Sequence, residues 1–230
     1  MKFSICFIHG LGDDECRFRQ FAADLRDCGM DCSTLRLPDF HSSSPRPNVA
    51  RPLANEVERC FSSQNGELCK VIVAHSLGGL LALSHDRIRN AADKFVLVEP
   101  SIRDADLSFF KMLLKLPQGD RIGRFCSMLL EQNSEVPSDY IKKITQWSEE
   151  GFATYCKLAV EMIPNATHNL ARVRGKTHIA CGRTSWGSST DIDKRISDNA
   201  KMHYFSDSGH WPFVTQSEMF IKFLNHTLVT

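Results

Sequence analysis

The chain has 230 residues, 42% of them apolar and 24% charged, and a formal net charge of +1. This length suits one domain with a sizeable core, and the composition excludes a disordered chain. So small a net charge provides no field to draw nucleic acid or an anionic membrane, and no apolar run approaches the ~18 residues of a membrane span.

The opening run Phe3-Ser4-Ile5-Cys6-Phe7-Ile8 is apolar but short, and it passes directly into His9-Gly10-Leu11-Gly12. It therefore reads as a strand over 2–8 and not as a secretion signal. Phe18, Phe21, Ala22 and Leu25 follow at helical spacing, and 32–37 reads as a second strand. Residues 38–47, rich in Ser and Pro, are expected to be a loop. Pro52 suits the first turn of a helix whose apolar face is Leu53, Val57, Cys60 and Phe61. Strands are expected at 70–74, 94–98, 177–181 and 201–205, with a helix carrying Leu80, Leu81 and Leu83 behind the first of these. Four amphipathic helices lie between 101 and 176, marked by Leu107/Phe110/Leu114, Ile122/Phe125/Leu129, Ile141/Ile144/Trp147 and Phe152/Cys156/Ala159/Ile163. The last helix opens with Thr215 and Glu218 at the spacing of a capping box. Strands alternating with helices predict an α/β fold: a mostly parallel sheet of about six strands flanked by helices. The core is then 1–100 and 177–230, with 101–176 inserted as a helical cap. The insert leaves from a strand end, where open parallel sheets bind ligands.

The nine cysteines are scattered and odd in number, which fits small core residues in a reducing, cytoplasmic compartment better than a disulfide framework. Cys28 and Cys32 come nearest to metal-ligand spacing, but no matching Cys/His pair follows, so neither metal nor cofactor is expected. Two glycosylation-like triplets, at Asn165 and Asn225, are read as chance matches.

Three local patterns carry chemistry. Ala74-His75-Ser76-Leu77-Gly78-Gly79 follows the strand Val71-Ile72-Val73 and precedes a helix. A serine on such a sharp turn is held exposed at the sheet's edge, with small residues two before and two after it because backbone passes close by. Alanine stands where glycine is usual at the first of these positions. His9-Gly10-Leu11-Gly12 follows the first strand, and Ser208-Gly209-His210-Trp211-Pro212 lies after the last strand. Together these residues resemble the α/β-hydrolase superfamily over nearly the whole chain, in the family's order of oxyanion loop, nucleophile elbow, helical insert and late histidine. The chain starts at what would be the family's third strand.

The resemblance implies that Ser76 is the nucleophile and His210 the general base, with the backbone N–H groups of Leu11 and Leu77 as oxyanion donors. His75 is left a scaffold or pocket-lining role. The acid departs from the common pattern, because Ser185 stands in Cys181-Gly182-Arg183-Thr184-Ser185-Trp186 where an aspartate is usual. Glu99, closing the fourth strand, is the preferred acid; the alternatives are Asp191 or Asp193 reaching back from the loop, or no acid at all. The expected activity is hydrolysis of a small or lipophilic carboxylic ester, a small-molecule substrate. Thioester, lipid and carbon–carbon hydrolysis use the same machinery. The rival reading is a non-catalytic ligand-binding protein on a hydrolase scaffold, supported by the missing aspartate at Ser185.

Overall fold

A computed structural model describes residues 2–37, 50–62, 68–132, 136–186 and 194–229. Six strands form one sheet: β1 (Phe3–Ile8), β2 (Asp31–Leu35), β3 (Cys69–His75), β4 (Lys94–Val98), β5 (Lys176–Gly182) and β6 (Lys201–Phe205). Their order is β2-β1-β3-β4-β5-β6, and every neighbouring pair is parallel. The inner strands are covered on both faces, which is why Val71–Ala74 and Phe95–Val98 are unbroken apolar runs and fully buried. The chain moves outward from β1 to β2 and returns to the other side of β1 to lay down β3. The switch point lies between β1 and β3, so their carboxyl ends open a crevice there.

Helices cover both faces. α1 (Arg19–Asp27) and α13 (Ser217–Val229) meet through Phe21 and Phe220, ring to ring at 5.7 Å. α2 (Ala50–Ser62) packs on α3 (Leu77–Ser84) and on α4 (Asp86–Arg89). The buried Lys94 donates to the carbonyls of Thr227 and Leu228 at 3.0 and 2.7 Å, satisfying the end of α13 with a cation. Between β4 and β5 lie α5 (Asp104–Lys115), α6 (Arg121–Gln132), α7 (Ser138–Ile144), α8 (Glu149–Met162) and α9 (Ala166–Ala171), and between β5 and β6 lie α10 (Arg183–Trp186) and α11 (Lys194–Ser197). The first four, α5 to α8, match the expected amphipathic runs, except that Trp147 lies beyond the end of α7 and Ile163 beyond the end of α8. α9 escapes periodicity because so short a helix buries little more than Ala166 and Leu170. Phe110, Leu113, Phe125, Phe152 and Tyr155 of these helices belong to the same apolar core as the sheet. Among the described residues no helix is long and apolar enough to cross a membrane.

The capping box expected at Thr215 and Glu218 does not form. The chain breaks at Gln216 (φ −130°, ψ 52°) between α12 (Pro212–Thr215) and α13. The Thr215 hydroxyl instead meets the Ser208 hydroxyl at 2.7 Å and donates to the Trp211 carbonyl at 3.2 Å. It closes the loop that carries His210.

Candidate active site

Ser76 joins β3 to α3 with φ 52° and ψ −122°. An L-residue holds such a conformation at a cost on the order of 1–3 kcal/mol, so its surroundings must enforce it. The Ser76 N–H donates to the Val98 carbonyl at 2.8 Å. Its carbonyl accepts from the N–H groups of Gly79, Leu80 and Ser101 at 3.0, 3.3 and 3.3 Å. A β-carbon on Gly78 would stand 2.3 Å from the His9 carbonyl oxygen, and one on Gly10 would stand 3.0 Å from Ser76 Cβ. Glycine at both positions lets the loop after β1 lie directly against the serine turn.

That loop is itself fixed by a buried histidine. His9 Nε2 accepts from the Leu37 N–H at 3.0 Å, so the proton resides on Nδ1, which donates to the Gly10 carbonyl at 2.9 Å. Burial pushes the His9 imidazole below its ordinary value and keeps it neutral.

Glu99 closes β4 with φ 48° and is 2% exposed. Among the described residues, Ser76 and Glu99 are the two non-glycine residues with positive φ. One Glu99 carboxylate oxygen accepts from the Gly182 N–H. The other lies 3.5 Å from His210 Nδ1. That contact has the range of an ion pair and is longer than a well-formed hydrogen bond. Ser185, in the usual acid position, turns its hydroxyl back to the Gly182 carbonyl at 3.0 Å. Asp191 and Asp193 lie outside the described residues. His75 Nε2 is 2.9 Å from the His210 carbonyl; because a carbonyl only accepts, Nε2 carries the proton. Burial, followed by the neighbouring His210, holds the His75 imidazole well below the usual histidine range. It is a neutral brace between the serine turn and the His210 loop.

These groups open onto a cavity of about 550 Å³. Leu11, Ser76, Glu99, Ser101 and His210 stand on its wall, and Phe109, Phe110, Phe125, Leu129, Tyr140 and Trp211 supply apolar lining. Leu77, the first residue of α3, is fully buried next to Ser76. Three features of the site have no local motif in the sequence. The Ser101 hydroxyl lies 3.4 Å from the Ser76 hydroxyl. Arg103, paired with Asp106 at 2.9 Å, lies over the Trp186 ring at 4.6 Å. Tyr140 is buried, whereas its neighbour Ile141, expected on the apolar face of that helix, is only partly so. The (i, i+4) pair Tyr140/Ile144 was the available signal.

A family model described as the alpha/beta hydrolase family matches residues 7–223. A comparison with curated protein sequences finds no match. Among solved structures, an esterase from Exiguobacterium antarcticum superposes with a TM-score of 0.73 at 15% identity, covering 98% of this chain and 91% of its own. MenH from S. aureus gives 0.72 at 17%, covering 97% and 92%. The enol-lactonase from Burkholderia xenovorans gives 0.72 at 12%, covering 100% and 92%. At such identities the likeness shows the fold.

Proposed function

The chain belongs to the alpha/beta hydrolase family, and from that premise we propose that it is a serine hydrolase cleaving a small or lipophilic carboxylic ester. His210 takes the Ser76 proton as the hydroxyl attacks the ester carbonyl. The N–H groups of Leu11 and Leu77 stabilise the negative oxygen of the tetrahedral intermediate. His210 then protonates the leaving alcohol, and water, activated by the same imidazole, releases the acyl group from Ser76. Glu99 orients the imidazole and stabilises its charged form. Residues 101–176 act as a cap whose aromatic side chains receive the apolar part of the substrate. The esterase and enol-lactonase among the structural neighbours agree with this chemistry without specifying the substrate.

The observation that carries the reading is the coincidence of backbone strain with chemistry. The two positive-φ non-glycine residues among those described are the serine and the glutamate that face one cavity beside His210. Strain of this kind persists where the surrounding structure imposes it, and it concentrates at functional sites. The test is labelling with a fluorophosphonate and hydrolysis of nitrophenyl esters of graded chain length. Wild-type protein should label and turn over, and Ser76→Ala, folded by circular dichroism, should do neither beyond a residual rate. Folded wild-type protein that neither labels nor hydrolyses would support the ligand-binding alternative.

A further inference from the structure

The Tyr140 hydroxyl, on α7 of the insert, donates to the Leu11 carbonyl at 2.7 Å across 129 residues of sequence. We propose that Tyr140 is a positioning residue that aims the Leu11 N–H at the oxyanion site, so that the site is complete only when α7 is seated. The proposal rests on the serine-hydrolase reading above.

The Leu11 N–H lies in the peptide plane before its Cα, which is coupled to the plane after it through the Leu11 φ and ψ, so its aim is fixed when both planes are held. The plane before it is held at the Gly10 carbonyl, by His9 Nδ1 at 2.9 Å and by the Asp13 N–H at 3.4 Å. The plane after it is held at the Leu11 carbonyl by Tyr140. The next residue, Gly12, has φ 72° and no side chain, which makes it the natural pivot of the loop. Ile144 of α7 packs onto that pivot so closely that a β-carbon on Gly12 would meet Ile144 Cδ1 at 2.3 Å. Pre-aimed donors stabilise a developing oxyanion because they need no reorganisation during the reaction. A loop free to swing at Gly12 would lose that advantage.

Charges fix α7 to the same loop. Lys143 reaches Asp14 at 3.0 Å and Asp139 at 2.8 Å. Arg17 bridges Asp13 at 2.6 Å and Asp139 at 3.0 Å. The partly exposed pairs are weak alone, but together with the buried Arg17–Asp13 pair they form one network across the junction. The Tyr140 ring also meets Trp211 edge-on at 5.2 Å, and Trp211 meets His210 at 5.0 Å. Burial raises the Tyr140 phenol well above its ordinary value, so it remains a donor throughout the working pH range.

The test is Tyr140→Phe, which removes one hydroxyl and keeps the ring. With a nitrophenyl ester, kcat should fall about 10- to 100-fold, less than the 10²–10³ of deleting an oxyanion donor outright, and KM should stay within about twofold. Affinity for an alkylboronic acid, which mimics the tetrahedral adduct, should fall by the factor lost in kcat/KM. Amide hydrogen exchange over residues 10–13 should quicken. A kcat within about twofold of wild type, or a loss confined to KM, overturns the proposal. Folded wild-type protein that neither labels with a fluorophosphonate nor turns over esters overturns the serine-hydrolase reading and the positioning role of Tyr140 with it. Unchanged exchange in Tyr140→Phe overturns the bracing itself, whatever the activity.

Discussion

Glu99 closes β4 with a left-handed backbone and a carboxylate that water scarcely reaches. Burying an ionised carboxylate is expensive unless hydrogen bonds and a partner charge offset it. One oxygen has the Gly182 N–H, while the other faces His210 Nδ1 across 3.5 Å and among the described residues accepts no hydrogen bond. Such contacts are often long in the free enzyme and shorten when the imidazole gains its proton. Glu99→Gln separates the two roles, because a glutamine oxygen still accepts from Gly182 but carries no charge for the imidazolium. Turnover should fall by about 10⁴, the scale of an aspartate-to-asparagine change in a serine protease, with the fold retained. Steady-state kcat beside a circular dichroism spectrum measures this. A loss smaller than about tenfold would remove Glu99 from the role and leave Asp191 and Asp193 as the candidates.

At the scale of elements, glycines set how closely the pieces approach. A β-carbon on Gly10 would stand 2.9 Å from His75 Nδ1 and 3.0 Å from Ser76 Cβ. On Gly175, just before β5, it would stand 2.2 Å from the Asp93 carbonyl, at the opposite end of the sheet from Ser76. The two alanine variants should therefore fail differently. Gly175→Ala should lose about 1–3 kcal/mol of stability while the folded protein keeps its kcat. Gly10→Ala should lose about 100-fold or more in turnover by moving the loop against Ser76. Thermal melts paired with kcat distinguish them, and equal losses of activity in the two would refute the distinction. The same contacts explain what the sequence made legible. Val71–Ala74 of β3 and Phe95–Val98 of β4 are unbroken apolar runs because both faces of these strands are covered, and Ser76 and His210 sit in local motifs beside strand ends. Tyr140 carried no such mark, since its partner lies 129 residues away. Thr215 and Glu218 had cap spacing, but the Thr215 hydroxyl found Ser208 instead. Glu99 stands out in the sequence as a carboxylate closing an apolar strand between the nucleophile and the base, whereas its left-handed backbone has no signature in the chain.

Over the whole molecule, the carboxyl ends of the strands hold the candidate chemistry, and a different pair of titratable groups governs the outer edge of the sheet. His178 on β5 and His203 on β6 face each other with Nδ1 and Nε2 3.0 Å apart. One ring must donate and the other accept, so the contact requires at least one neutral imidazole. His203 also packs on the Phe223 ring at 4.6 Å, which ties β6 to α13. Burial, followed by His203 and the amines of Lys201, Lys94 and Lys176, pushes His178 down to about 4. Burial, with Lys201 and His226, lowers His203 as well. A histidine whose folded value is depressed holds fewer protons when folded than when unfolded. Its contribution to stability is therefore complete above the ordinary histidine value of ~6.5, declines as pH falls below that value, and is gone once pH has fallen through the folded value. Solvent at the sheet edge screens part of this, so a loss of about 1 kcal/mol between pH 7 and pH 5 is the expected scale. Urea unfolding at a series of pH values should show that decline in the wild-type protein and a shallower one in His178→Phe, which has no proton to take up at that position. Carboxylates titrating toward the acid end affect both proteins alike and cancel in the comparison. Parallel curves for the two proteins over this range would mean that the pair does not control the acid stability of the fold.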